Sequence, residues 1–212
     1  MKRHQHYCPI ARTLDLLGDR WSMLILRELL FGESRFSDLR NNLPGISPTL
    51  LTERLQALES HGLVTTRELA PPAARTVYTV TEKGREALPI LRAMARFGMS
   101  LLPSPKSVPK IRPALAAHGV VAAYYDAAAA ARLDERYRLV IDGETFELGA
   151  ARGRRSAAKT DEPDLTISGP AHAIVAARLG ETTLKDAIAD GLITTRGSKR
   201  ALRNFQRVFR LP

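Results

Sequence analysis

Apolar residues recur every three or four positions through most of residues 9–60, a spacing typical of amphipathic helices. The spacing is interrupted at Gly18-Asp19 and at Pro44-Gly45. It therefore predicts two helices, a short third helix and, after Pro44-Gly45, a fourth. In the fourth helix one inward stripe is expected to consist of Leu51, Leu55 and Leu58.

Residues 63–81 change to a pattern typical of strands, with two β-rich runs around a tight Pro/Ala/Arg loop. Thr81 is the expected N-cap of a further helix, and Pro89 is expected to kink it. The apolar positions of that helix are Leu88, Leu91 and Phe97. Two helices joined by a short turn and followed by a two-stranded ribbon are typical of a winged helix-turn-helix. In that arrangement the second helix enters the major groove and the ribbon contacts backbone or minor groove.

The remaining chain predicts a different unit. An Ala-rich helical region is followed by apolar–polar alternation on both sides of Asp142-Gly143, which predicts a hairpin. Residues 163–169 and 192–197 predict two more strands, with two short helices around Gly180 between them and a last helix at the end. These elements predict an antiparallel-rich sheet with helices covering one face. The fold class expected for the whole chain is α+β.

Four prolines within residues 101–113 accompany a loss of periodicity and predict an extended linker. The expected organisation is a winged-helix domain over residues 1–102, a proline-rich linker over 103–113 and a second domain over 114–212.

The chain has 212 residues, with 32 Lys and Arg against 22 Asp and Glu, so a formal charge of +10 predicts attraction to polyanions. One cysteine excludes an internal disulfide framework. With neither a signal-peptide core nor an apolar run long enough to span a membrane, a cytoplasmic protein of bacterial type is expected.

The sequence has no Gly-rich phosphate loop, metal-ligand cluster or nucleophile–base pair, and the remaining histidines, His61, His118 and His172, are scattered. An enzyme, a cofactor and a bound metal are therefore not expected.

The outer face of the fourth helix is the candidate reading surface. Thr49, Thr52 and Gln56 are suited to base edges, and Arg54 on the flank is suited to phosphate. Glu53 is expected either to accept a hydrogen bond from a cytosine amino group or to repel phosphate in wrong dockings. The alternative for this face is an ordinary solvated surface. The full set of candidate DNA contacts is Arg35, Ser47, Pro48, Thr49, Thr52, Glu53, Arg54, Gln56 and Arg75.

Residues 8–98 resemble the HxlR-type winged-helix regulators, relatives of the MarR-like group. The resemblance is carried by "CPIARTLDLLGDRWSMLILREL", "RFSDLRNNLPGISPTLLTERLQALESHGLV" and "VYTVTEKGREAL". It implies a homodimer that binds double-stranded DNA at an operator, with the first and last helices of the domain forming the dimer contact.

Cys8 lies where several members of that family carry a redox-sensing cysteine, so the resemblance also implies a thiol switch. Arg3, His4, His6 and Arg12 are close in sequence and suited to lowering the pKa of such a thiol. The alternative is a cysteine that only packs beside the first helix. His4, His6 and Cys8 make a weak metal motif because no fourth ligand is near.

Residues 114–212 resemble the sterol-carrier-protein-like lipid-binding fold, through "DGETFEL", "PDLTISG", "LGETTLKDAIADGLITTRGS" and the closing helix. The resemblance implies a cavity between sheet and helices for an apolar or acyl ligand. The alternative is an ordinary core without a cavity. Candidate lining residues are Val121, Tyr124, Tyr125, Ile174, Val175 and Leu179.

A basic stripe is expected along the last helix, formed by Arg196, Arg200, Arg203, Arg207 and Arg210 with Lys199 adjacent. It is interpreted as a solvated face, a second phosphate-contacting surface or a binding site for an anionic head group.

The expected function is a sequence-specific transcriptional regulator modulated by an apolar ligand or by Cys8. Two alternatives are a lipid carrier that uses its winged helix for dimerisation and a general DNA-binding protein.

Overall fold

A computed structural model describes residues 7–69, 75–151 and 162–212. The chain divides into two compact units, Met1–Leu91 and Arg92–Pro212. Among the described residues, no helix combines the length and the apolar character that crossing a membrane requires.

The first unit has the element order of a winged helix. Its helices are α1 (Pro9–Leu17), α2 (Arg20–Phe31), α3 (Phe36–Asn42), α4 (Pro48–Ser60), α5 (Glu82–Arg85) and the start of α6 (Leu88–Met99). Its strands are β1 (Val64–Leu69) and β2 (Arg75–Val80), which pair antiparallel. The predicted winged helix-turn-helix is confirmed in this unit.

The ends of these helices follow from short polar residues at the predicted positions. Asp19 caps α2 by accepting hydrogen bonds from the backbone N–H groups of Trp21 (2.8 Å) and Ser22 (3.0 Å). Ser47 caps α4, with its Oγ accepting from the Leu50 N–H at 3.2 Å. Gly62 ends α4 in the left-handed region at φ +71.

The core of the first unit is formed by the inward faces of α2, α3 and α4 together with the start of β1 and the end of β2. The predicted stripe of α4 is fully buried. Its neighbours in the core include Ile25, Leu26, Leu29, Leu39, Leu43, Val64 and Val80. Packing of α4 on α2 therefore fixes the direction in which the opposite face of α4 points.

The prediction of one long helix kinked at Pro89 is wrong. Helix α5 ends at Arg85, and Pro89 is the second residue of a new helix, α6, where its missing N–H removes no helical hydrogen bond. Leu91 packs against the first core as expected, but Phe97 is 77% exposed. Leu14, expected on the inner face of α1, is 49% exposed.

The second unit contains a mixed sheet. Its described strands are β3 (Asp134–Ile141), β4 (Glu144–Ala151), β5 (Leu165–Gly169) and β6 (Thr194–Gly197), in the spatial order β4-β3-β5-β6. β3 is antiparallel to β4 and parallel to β5, and β5 is antiparallel to β6. Asp142 and Gly143 have φ angles of 48° and 84°, and positive φ at both residues is what a two-residue hairpin turn of type I′ requires. The predicted hairpin and the antiparallel-rich sheet are both confirmed.

The second unit also contains helical segments. They are a 3-10 turn (Pro105–Ser107), a π-helix (Leu115–Val121), a 3-10 turn (Ala122–Tyr124), α7 (Ala127–Ala130), α8 (Ala171–Leu179), α9 (Leu184–Ala189) and α10 (Lys199–Phe209). Alternate residues of β3 are buried, and the ring of Tyr137 lies edge-on to the ring of Phe205 with centroids 5.3 Å apart. Phe205 also lies against Phe209, with centroids 4.8 Å apart. The second unit thus has its own aromatic core.

The proline-rich segment differs from the extended linker predicted for 103–113. Pro105 is buried, Ile111 packs against the core of the second unit, and Ser104 Oγ donates to Glu181 at 3.1 Å. Prolines suit this short ordered path because their φ angles are fixed before folding. The division between the two units falls inside α6, between Leu91 and Arg92.

Candidate nucleic-acid interface

Helices α3 and α4 form the helix-turn-helix pair. The turn between them is held by Leu43 and Ile46, which are both buried, and the Ile46 N–H donates to the Leu43 carbonyl at 3.2 Å. Gly45 has φ +91, a conformation that strongly favours glycine. The "LPGIS" turn is thus explained by two apolar anchors around one left-handed glycine.

The outer face of α4 carries most of the predicted contact residues in exposed positions, namely Ser47, Pro48, Thr49, Thr52, Glu53 and Gln56. Thr52 donates its hydroxyl proton to the Pro48 carbonyl at 3.0 Å, so it offers an acceptor oxygen and a methyl group outward. Within the described residues, the side chains of Thr49 and Gln56 make no hydrogen bond, which leaves them able to meet base edges.

Arg54 is placed differently from the expectation. Its Nε lies 3.4 Å from Oδ1 of Asp19, and its side chain is only 31% exposed. Burial by itself would raise the pKa of the Asp19 carboxyl, but hydrogen bonds from Ser22 and Trp21 and the charge of Arg54 hold that pKa below its ordinary value. Arg54 therefore links α4 to the start of α2 in this structure, instead of extending freely toward a phosphate.

The ribbon is fixed to the helices by contacts that the sequence pattern did not reveal. Ser34 and Tyr78 exchange backbone hydrogen bonds of 3.1 and 2.8 Å, which form one isolated β-bridge beside β2. Arg67 on β1 forms an ion pair with Glu33, with Arg67 Nε 3.1 Å from Glu33 Oε1. The loop between α2 and α3 thus holds the base of the ribbon.

The two remaining predicted contacts lie at the edges of this surface. Arg75 is exposed at the first position of β2, and the proline tip before it, residues 70–74, lies outside the described residues. Arg35 is half-buried at the start of α3, and its backbone N–H donates to Asp38 at 3.2 Å. Both arginines remain candidates for phosphate contacts.

Cys8 is the N-cap residue of α1 and is partly exposed. The Arg12 guanidinium lies 3.4 Å from the Asp15 carboxylate, to which it donates a hydrogen bond. Arg3, His4 and His6 lie outside the described residues, so the predicted basic surroundings of the thiol and the weak metal motif stay untested. The described part of the chain contains no group of three metal-ligating side chains.

The candidate ligand-lining residues all lie in or against the core of the second unit. Val121, Ile174 and Val175 are buried, while Tyr124, Tyr125 and Leu179 pack around them. A pocket of about 320 Å³ occurs elsewhere, lined by Pro105, Lys106, Val108, Pro109, Lys110, Ile111, Asp142, Ala171 and His172. None of the six candidates lines that pocket, and a ligand among them would have to displace core side chains.

The three histidines among the described residues lie in different environments. His61 follows α4, with Nδ1 2.8 Å from the Ala57 carbonyl oxygen. His118 lies edge-on to Phe146 with ring centroids 5.6 Å apart, and burial lowers its pKa. His172 is exposed at the start of α8.

A helix-turn-helix followed by an antiparallel ribbon defines the first unit as a winged helix. The family model for HxlR-like helix-turn-helix proteins matches residues 16–106. An HTH-type transcriptional regulator of Synechocystis sp., sll1512, is 44% identical over 98 residues, which cover 46% of this chain and 72% of the relative. A second, from Methanothermobacter thermautotrophicus, is 36% identical over 95 residues, which cover 44% and 72%. The chain therefore belongs to the HxlR-like helix-turn-helix family.

A solved structure is similar to part of this chain. The reduced form of the transcriptional regulator YodB from B. subtilis is 33% identical, with 44% of this chain and 92% of that chain covered and a TM-score of 0.40. The family model ends at residue 106, so the second unit lies largely beyond it.

Proposed function

We propose that this protein is a sequence-specific DNA-binding transcriptional regulator that reads its operator with the exposed face of α4. The observation that carries the proposal is that Thr49, Thr52 and Gln56 share the face opposite the buried leucine stripe. Amides and hydroxyls are the groups that pair with base edges in the major groove. The relatives support the proposal because both are HTH-type transcriptional regulators.

Base recognition and phosphate binding are assigned to different parts of the winged helix in this proposal. Helix α4 has no excess of positive charge, since Glu53 and Glu59 accompany its single arginine. Its N-terminus, opened by Ser47 and Pro48, is a favourable place for a phosphate because of the helix dipole. Arg75 supplies a further phosphate contact from the ribbon. Glu53 discriminates against wrong dockings or accepts from cytosine.

We also propose that the regulator is a homodimer. Exposed apolar residues recur on α6 at Ile90, Met94 and Phe97, four and three residues apart, and α1 exposes Ile10 (71%) and Leu14. Exposed apolar residues that recur on one helix are typical of a protein–protein contact. A second copy is the proposed occupant because a two-fold symmetric pair of α4 helices matches a pseudo-palindromic operator, with half-sites about 34 Å apart or a multiple of it.

Phe97→Asp is expected to convert the dimer to a monomer and to weaken operator binding, because an unpaired carboxylate would be buried in the apolar contact. Sedimentation equilibrium and footprinting measure both effects. Leu192→Asp is the matched control, since Leu192 is also an exposed apolar residue but lies outside α1 and α6. A monomeric wild type that protects one asymmetric half-site would contradict the dimer proposal.

The thiol switch belongs to the same proposal and is supported by the partial exposure of Cys8 at the start of α1. Diamide or a quinone is expected to change the operator affinity of the wild type and to leave Cys8→Ser unchanged. Untreated Cys8→Ser should bind the operator as the wild type does. Equal operator affinity of treated and untreated wild type, measured by gel shift, would assign Cys8 a packing role only.

For the second unit we propose a sterol-carrier-like architecture, supported by the hairpin, the mixed sheet and the closing helix. Modulation by an apolar ligand stays a prediction. The pocket described above has two lysines and an aspartate in its lining, which suits a polar molecule better than an acyl chain.

A further inference from the structure

The positive charge of the chain is concentrated in its second unit. Residues 92–212 contain 20 of the 32 Lys and Arg residues and 12 of the 22 Asp and Glu residues, a formal charge of +8. Residues 1–91 contain 12 basic and 10 acidic residues, a formal charge of +2. The attraction to polyanions that the composition predicts therefore arises mainly outside the winged helix.

Helix α10 gathers part of this charge on one face. Arg200, Arg203 and Arg207 are exposed and fall at i, i+3 and i+7, within about 60° of one another around the helix axis. The opposite face is buried and consists of Ala201, Phe205, Val208 and Phe209. The helix contains no acidic residue. We call the three exposed arginines the α10 arginine face.

The stripe is shorter than the sequence pattern predicted. Arg196 lies in β6, before the helix begins. Arg210 follows the helix in a left-handed conformation (φ 46) and pairs with Asp126 at 2.7 Å. Another exposed ion pair of this unit is similarly close, with Arg138 Nε 2.6 Å from Glu147.

The α10 arginine face lacks such close partners. Within the described residues none of its guanidinium groups hydrogen-bonds a carboxylate: Arg200 lies 3.9 Å from Glu135, and Arg207 donates to the neutral amide oxygen of Asn204 at 3.3 Å. Glu135 is buried, and its two oxygens already accept from Tyr137 and Asn204 at 2.7 Å each. Arg200 forms only this long ion pair among the described residues, and its side chain is 80% exposed.

We infer that the α10 arginine face binds the phosphate backbone of duplex DNA flanking the sequence that α4 reads. The inference rests on the proposed function. Guanidinium groups are permanently charged and pair with phosphate through two parallel hydrogen bonds. Arg200 and Arg207 are about 10 Å apart along the helix axis, which equals the rise of about three base pairs along a DNA duplex. Because both units belong to one chain, DNA bound by the winged helix has a high effective concentration around the second unit.

The test removes the three charges together. In the full-length protein, Arg200→Gln, Arg203→Gln and Arg207→Gln are combined and binding to a random duplex and to the operator is measured from 50 to 300 mM salt. The expected result is a decrease of about 2 to 3 in the slope of log K against log[salt], equal on both duplexes, because each lost phosphate contact removes about 0.9. The ratio of operator to random affinity should not change.

Two matched variants separate this effect from net charge and from folding. A variant that combines Lys106→Gln, Lys110→Gln and Lys185→Gln removes three exposed charges of the same unit that are not part of α10, and it should keep the wild-type slope. Replacing the three arginines by lysine should also keep most of the slope, since the point charges remain. An unchanged slope in the glutamine variant, or an equal loss in the lysine control, would overturn the inference.

The proposed function fails in a different way. If the wild type bound operator and random duplex equally well, the reading role of α4 would be contradicted. The role of α10 is tested separately, by the salt slope of the glutamine variant. Vesicles of phosphatidylserine and phosphatidylcholine supply the remaining comparison. Loss of vesicle binding in the glutamine variant with unchanged DNA binding would assign the face to an anionic membrane surface and overturn the inference.

Discussion

Gln56→Ala is expected to lower operator affinity about 5- to 150-fold and to leave affinity for unrelated duplexes nearly unchanged. A side-chain amide that pairs with a base edge contributes about 1–3 kcal/mol of discrimination. Gln56 is suited to this role because its amide is exposed on α4 and has no partner among the described residues. Thr52→Ala is expected to have the same kind of effect through its acceptor oxygen and methyl group.

Arg75→Ala is the contrasting variant for this prediction. A phosphate contact carries no sequence information, so its loss should weaken operator and random DNA alike and reduce the salt slope by about one unit. Fluorescence anisotropy on both duplexes at two salt concentrations separates the two patterns. Equal losses on operator and random DNA from Gln56→Ala would remove α4 as the reading element.

Gly84→Ala is expected to destabilise the winged-helix unit by about 1–3 kcal/mol. Gly84 lies in α5 against the end of α4 and the start of β1, and a Cβ there would lie 2.0 Å from the carbonyl oxygen of Leu63. That carbonyl also accepts the Thr81 N–H at 3.1 Å, so it cannot withdraw without breaking the connection between the ribbon and α5. The glycine of the "TEKG" segment is thereby explained by close packing.

Thermal unfolding measures this effect, at roughly 4–8 °C for each kcal/mol in a domain of this size. Gly32→Ala is the matched control in the same unit, because nothing lies within 4 Å of a Cβ built at Gly32 and its backbone is extended. The control should unfold near the wild-type temperature. A Gly84→Ala protein as stable as the control would show that the contact between α5 and Leu63 yields without penalty.

Features of the fold that depend on local chemistry were predictable from the sequence. Ser47 and Thr81 were expected as N-caps, and both accept the backbone hydrogen bonds that define that role. Asp142-Gly143 was expected as a hairpin turn because its two residues tolerate positive φ. In each case a few neighbouring residues decide the conformation, so the pattern is sufficient.

Features that depend on contacts distant in sequence were missed. The ion pair between Arg54 and Asp19 joins residues 35 positions apart, and the sequence pattern did not predict it. The bridge between Ser34 and Tyr78 has no local signature either. A periodic pattern states which face of a helix is polar, but the partner of each polar group depends on how the elements pack.

The candidate sites were also predictable only in part. The exposed positions on α4 followed from helical periodicity once the buried leucines had fixed the inner face. The ligand residues of the second unit did not follow, because apolar spacing is the same for a packed core and for a cavity wall. The structure places Ile174 and Val175 in the core.

Recognition of a particular DNA sequence by this chain is tested most directly by equilibrium competition at one fixed salt concentration. Labelled DNA from upstream of its own gene is bound to the full-length protein and competed with the same unlabelled DNA or with a shuffled duplex of equal composition. The predicted result is that the shuffled competitor is weaker by a factor of about 10³ or more, as in specific protein–DNA complexes. Equal competition by both duplexes would contradict the claim and leave a general DNA-binding protein.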